Sequence, residues 1–81
     1  MRLDKYLKNS RLIKRRTVAN EACDAGKVFV NDKPARASYA VKPGDIVRLE
    51  LGNRVLTVEV LSTPEVVTKE NAADLYRVLT S

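Results

Sequence analysis

Residues 11–30, RLIKRRTVANEACDAGKVFV, decide how this chain folds. The stretch opens with four cations in six residues: Arg11, Lys14, Arg15 and Arg16. From about Arg15 to Ala25 the spacing predicts a short helix, with Val18, Ala22 and Ala25 in one stripe and Ala19 and Cys23 beside it. Gly26 suits the left-handed position that commonly ends a helix. Lys27 to Asn31 then alternates, Val28 and Val30 on one side and Lys27, Phe29 and Asn31 on the other, as a half-buried strand does. Arg15, Arg16, Thr17 and Asn20 cluster over the first turn or so of the helix. Free backbone N–H groups and the positive end of the helix dipole sit in the same place, so an anion is favoured there.

Upstream, Arg2 to Asn9 reads as a first helix. Leu3 and Leu7 share a face with Tyr6 beside them, and Arg2, Lys5 and Lys8 line up on another. Asp4 falls in the first turn, where the dipole favours an acid. About eight residues do not hold a helix in water alone, so the leucine face must pack on a neighbour. Residues 11–14 connect the two helices, with Leu12 and Ile13 dipping into the core.

Downstream, Asn31-Asp32 is a turn pair tolerant of left-handed backbone, and Lys33-Pro34-Ala35 continues as an edge segment. Residues 36–41 are irregular, anchored by Tyr39. Lys42-Pro43-Gly44-Asp45 suits a type II turn. Ile46–Leu51 and Arg54–Leu61 form a hairpin around Gly52-Asn53, with Val47, Leu49 and Leu51 on the expected core face of the first strand, and Leu56, Val58 and Val60 sharing one side of the second. Pro64 ends the second strand, residues 65–67 continue as extended chain, and Thr68 caps a last helix from Lys69 to about Val78. Ala72, Leu75, Tyr76 and Leu79 make the apolar face of that helix. The expectation is an α+β fold: two N-terminal helices on a small, mainly antiparallel sheet, with a short C-terminal helix. Residues 1–81 form one domain, with the core motif in 1–50 and the hairpin strand and last helix in 51–81.

The 81 residues carry a net charge of +5, and it is unevenly placed. Residues 1–36 hold ten Lys/Arg against four acids, whereas residues 37–81 hold five against six. A basic half of this kind points to a nucleic acid or an anionic membrane as partner. One Cys and no His exclude a disulfide framework and a Cys/His metal site, and fit a reducing compartment. No apolar run approaches a membrane span, and the charged start MRLDKYLK does not read as a secretory signal, so a cytoplasmic protein is expected. Without His there is no ready general base near neutral pH, and the three glycines fit no phosphate-loop pattern. No enzyme activity and no cofactor are expected. Cys23 reads as a small core residue.

The few aromatics, Tyr6, Phe29, Tyr39 and Tyr76, are scattered, which disfavours binding single strands by stacking. Recognition of folded RNA by shape and phosphate position fits better. A helix-turn-helix DNA binder is a weaker reading, because Glu21 and Asp24 would face a groove poorly. A basic module that meets an acidic protein remains an alternative.

Four separated blocks carry a resemblance: residues 1–7, MRLDKYL; 15–19, RRTVA; 26–31, GKVFVN; and 41–47, VKPGDIV. In that order they resemble the RNA-binding domain named after small-subunit ribosomal protein S4. The resemblance implies that the two helices and the following loop grip structured RNA. Arg2 and Arg16 match the family's characteristic RNA-facing arginines, and Lys5, Lys8, Arg11, Lys14, Arg15, Thr17 and Asn20 are inferred from placement on the same face. Arg15 departs from the Ser that many members carry, adding charge and removing a cap. Asp32 departs from the usual Gly, placing an acid where phosphate would repel it. Among free-standing copies, the short and nearly neutral tail resembles the ribosome-associated quality-control factors more than the longer heat-shock proteins of fifteen kilodaltons. That implies binding to an obstructed large ribosomal subunit, with contacts to its rRNA and to peptidyl-tRNA. The partner implied is RqcH, which adds C-terminal alanine tails. The protein is expected to be a monomer when free. A role in ribosome recycling or assembly is the alternative within the same class.

Overall fold

Leu3, Tyr6 and Leu7 recur at helical spacing, and all three are fully buried along α1 (Leu3–Asn9). A linker leads to α2 (Arg16–Asp24). The computed structural model describes residues 1–63 and 72–80, and adds the strands β1 (Val28–Val30), β2 (Lys33–Pro34), β3 (Ile46–Leu51), β4 (Arg54–Val60) and β5 (Tyr76–Thr80). The five strands make one sheet in the order β2-β1-β3-β4-β5, antiparallel at every pairing. The expected α+β architecture of two helices on an antiparallel sheet is therefore present.

Its registers follow from the turns. Val30 pairs with Lys33 across Asn31 and Asp32, which sit at φ 53° and 68°, the left-handed pair a two-residue hairpin requires. Leu51 pairs with Arg54 across Gly52, at φ 64°. These registers stack Val28, Leu49 and Leu56 in one row and Val30, Val47 and Val58 in the next. The rows face the helices and close on Leu3, Tyr6 and Leu7 in one core. Burying a side chain of this size contributes roughly 1.5–3 kcal/mol each. Pro34 does fall on an edge strand, where its missing N–H costs nothing.

Leu51, expected on the core face of β3, is 39% exposed at the hairpin end, where Arg54 pairs with it. Three further expectations change. The core face of α2 is rotated from the expected stripe: Ala19 and Cys23 are buried, whereas Val18 is 47% exposed and Ala25 is exposed. Tyr39 anchors its loop by hydrogen bonds rather than burial. Its hydroxyl donates to Asp45 Oδ2 at 3.2 Å, and its carbonyl accepts from Leu3 N at 2.8 Å.

The third change concerns the C-terminal helix. Only one 3₁₀ turn, Ala72–Leu75, is helical among the described residues there, and Tyr76–Thr80 is a strand on the edge of β4. Ala72 and Leu75 satisfy the apolar spacing for a single turn. The aromatic and β-branched residues that follow instead complete a ladder whose partner is remote in sequence. The expected end at Pro64, extended chain in 65–67, cap at Thr68 and helix start at Lys69 lie outside the described residues. The turn is held against α1 by a buried bond from the Tyr6 hydroxyl to the Leu75 carbonyl, 2.7 Å. Burial pushes the Tyr6 phenol far above its ordinary range.

Candidate nucleic-acid interface

Of the two helix starts, only that of α2 is open. In α1 the chain itself caps the first turn, since Leu3 N donates to the Tyr39 carbonyl at 2.8 Å and Asp4 N to the Ala37 carbonyl at 3.1 Å. The N-cap of α2 is Arg15, with extended backbone (φ −123°, ψ 136°) and no side-chain cap. Its first-turn N–H groups and dipole end are thus left to an incoming anion.

Asp4 joins the two helices. Its carboxylate is 3% exposed. Oδ1 accepts from Arg2 Nε at 3.2 Å and from Lys5 N at 2.8 Å. Oδ2 accepts from Arg16 Nε at 3.2 Å, from Arg2 Nη2 at 3.4 Å and from Asn20 Nδ2 at 3.4 Å. Burial alone would raise the Asp4 carboxyl pKa. The bonds from Arg16, the Lys5 N–H and Asn20, together with the Arg16 charge, outweigh it and hold the group below the usual carboxylate range. The side chains of Arg2 and Arg16 remain 51% and 50% exposed. Arg16 bonds the acid through Nε and Arg2 through Nε and Nη2, which leaves further guanidinium N–H groups on each for a second acceptor. Arg16 and Asn20 are four apart on α2, and with Thr17, Glu21 and Asp4 they line a surface depression.

The remaining expected residues lie on the same helices and their linker. Lys8, Arg11, Lys14, Arg15 and Thr17 are exposed, while Lys5 is half-buried. Arg11 stands at φ 63° just past the end of α1, its N–H donating to the Lys8 carbonyl at 3.1 Å, in a position where glycine is the usual residue. The structure thus brings Arg2, Arg16 and Asn20 onto one acceptor and sets the other cations along α1, the linker and the entrance to α2.

Asp4 is the residue that sequence reasoning undervalued. The dipole argument placed it at a helix start, and nothing in local spacing revealed that two arginines fourteen residues apart would share it. Asp32 is 92% exposed on the β1–β2 turn, with Arg48 Nη1 at 3.4 Å. Arg48 in turn lies 4.3 Å above the Phe29 ring, on the sheet face away from the helices. Cys23 is buried, and that burial, with the Asp4 and Asp24 charges, pushes its thiol up to about 11, so it stays protonated at neutral pH. Among the described residues there is no cluster of three potential metal ligands, and no helix is long and apolar enough to cross a membrane.

Comparison with known proteins adds four findings. The family model described as S4 domain matches residues 1–47. A protein of Halalkalibacterium halodurans called RQC P-site tRNA stabilizing factor is 50% identical over 78 residues, covering 96% of this chain and 89% of that one. Its Bacillus subtilis counterpart is 48% identical over 79 residues, covering 98% and 92%. Among solved structures, Vibrio cholerae Heat Shock Protein 15, described as trimeric, superposes with a TM-score of 0.88 at 30% identity, over 96% of this chain and 80% of that one.

Proposed function

The chain belongs to the S4 domain family, and from that premise we propose that it is an RNA-binding factor of ribosome-associated quality control. It binds the obstructed large ribosomal subunit, contacts large-subunit rRNA and holds peptidyl-tRNA in the P site. In doing so it supports RqcH, which extends the stalled chain with C-terminal alanines. It acts in the cytoplasm as a single-domain monomer and carries out no catalysis of its own. Relatives of nearly equal length that share about half its residues and bear the name P-site tRNA stabilizing factor support this reading.

The observation that carries the proposal is the pair of arginines from two helices fixed on one buried carboxylate, beside an uncapped helix start. Such a surface suits phosphates in a folded RNA, because its donors are held at a set spacing before the ligand arrives. Glu21 and Asp24, exposed farther along α2, limit how much of that helix can lie against the RNA.

Co-sedimentation with purified large subunits that carry peptidyl-tRNA tests this. Arg2→Ala and Arg16→Ala should each lower the bound fraction while the protein still unfolds cooperatively. Binding should fall steeply with salt, in proportion to the number of phosphates met. Unchanged sedimentation of both variants would remove the basis of the proposal.

A further inference from the structure

The arginine clamp holds an apparent contradiction. A surface meant for polyanions keeps a carboxylate at its centre, and Coulomb's law alone says that removing this acid strengthens RNA binding. Yet Asp4 is 3% exposed and accepts from three side chains and a backbone N–H, so it is built into the site. Its bonds to Arg2 Nε and Nη2 and to Arg16 Nε orient both guanidinium planes and direct their remaining N–H groups outward. Without it, two half-exposed arginines would sample many rotamers and offer charge without spacing.

We propose that Asp4 is the selectivity-setting residue of this face. It fixes Arg2 and Arg16 at a spacing matched to phosphates in folded RNA, at the expense of general affinity for polyanions. The proposal rests on the RNA-binding reading above and goes beyond it by assigning a positioning role to a residue that touches no RNA. Charge-assisted hydrogen bonds of this kind stand to change affinity about tenfold or more when their geometry is lost.

The test compares unfractionated transfer RNA with poly(U), using wild type, Asp4→Asn and Glu21→Gln. Glu21 is exposed, lines the same depression, and loses the same charge on substitution without touching the clamp. Asp4→Asn should bind transfer RNA about tenfold more weakly, with poly(U) binding unchanged or stronger. Glu21→Gln should bind both RNAs as well as wild type, or slightly better.

Tighter binding of both RNAs by Asp4→Asn would reduce Asp4 to a simple charge and overturn the proposal. Equal weakening for both would reduce it to a structural residue and overturn it too. If Asp4→Asn does not fold, Arg16→Lys decides: it keeps the charge but cannot hold Asp4 and present a fork at once. Weaker transfer RNA binding by Arg16→Lys supports the proposal, and wild-type binding refutes it. A wild-type protein with no preference for transfer RNA over poly(U) would sink the RNA-binding reading itself, an outcome distinct from loss of the Asp4 effect alone.

Discussion

Arg11→Gly should make the protein more stable and a poorer RNA binder. Arg11 occupies φ 63° just beyond α1. An L-residue in that region costs roughly 1–2 kcal/mol, and glycine avoids the cost. Glycine also loses more backbone entropy on folding, roughly 0.5–1 kcal/mol, which cancels part of the gain. The net expectation is about 0.5–1 kcal/mol of added stability. For a domain of this size that is a rise in Tm of roughly 2–8 °C. The turn itself survives, because none of its bonds uses the Arg11 side chain: Arg11 N donates to the Lys8 carbonyl at 3.1 Å, Ser10 N to the Tyr6 carbonyl at 2.9 Å, Ile13 N to the Leu7 carbonyl at 3.1 Å and the Ser10 hydroxyl to the Leu7 carbonyl at 3.2 Å. The same substitution removes one exposed cation from the face assigned to phosphate. The slope of log affinity against log salt should then shrink by about 0.7–0.9. Urea and thermal melts give the first quantity and a salt titration against transfer RNA gives the second. A less stable variant would show that the left-handed backbone carries no strain. A more stable variant with an unchanged salt slope would show that Arg11 does not meet a phosphate.

Three other perturbations follow from the geometry. Arg15→Ser supplies the missing cap of α2 and should add about 1 kcal/mol of stability while RNA affinity drops; melts and binding curves that rise together would contradict this. Tyr6→Phe removes the 2.7 Å bond to the Leu75 carbonyl, which still accepts from Leu61 N at 2.8 Å, so the loss should stay near 1 kcal/mol, read as a lower urea midpoint at unchanged m-value. Because the folded pKa of Asp4 lies below its ordinary value of 3.8, the stability it contributes is fully present above that value and is lost as pH falls through the folded one. The difference in stability between wild type and Asp4→Asn should therefore hold constant from pH 7 to pH 5 and close only below about pH 4; a gap that closes near neutrality would contradict the ion-paired geometry.

How much of this could be read from the sequence depended on how local each determinant was. The hairpin of β3 and β4 was legible because Gly52-Asn53 fixes its register and the alternation of Val47, Leu49, Val58 and Val60 fixes its buried face, which Leu51 leaves at the hairpin end. The Asn31-Asp32 turn was legible because both residues tolerate φ > 0. In α2 the contrast between Val18 and the small residues Ala19, Ala22 and Cys23 was too slight to set the phase, and the packing against α1 set it instead. β5 was misread because a strand at a sheet edge is decided by a vacant partner, here β4, rather than by its own pattern. The members of the candidate site were visible as a concentration of charge. Their organiser, Asp4, was not, since it gathers Arg2 from two residues away and Arg16 and Asn20 from another helix.

The most direct measurement is to add transfer RNA to isotopically labelled protein and follow each backbone amide by nuclear magnetic resonance. An RNA face on α1, the linker and the start of α2 predicts that shifts concentrate in residues 2–20 and are small at Arg48, Thr57 and Glu59 on the far side of the sheet. Shifts centred on β3 and β4, with residues 2–20 unmoved, would contradict it.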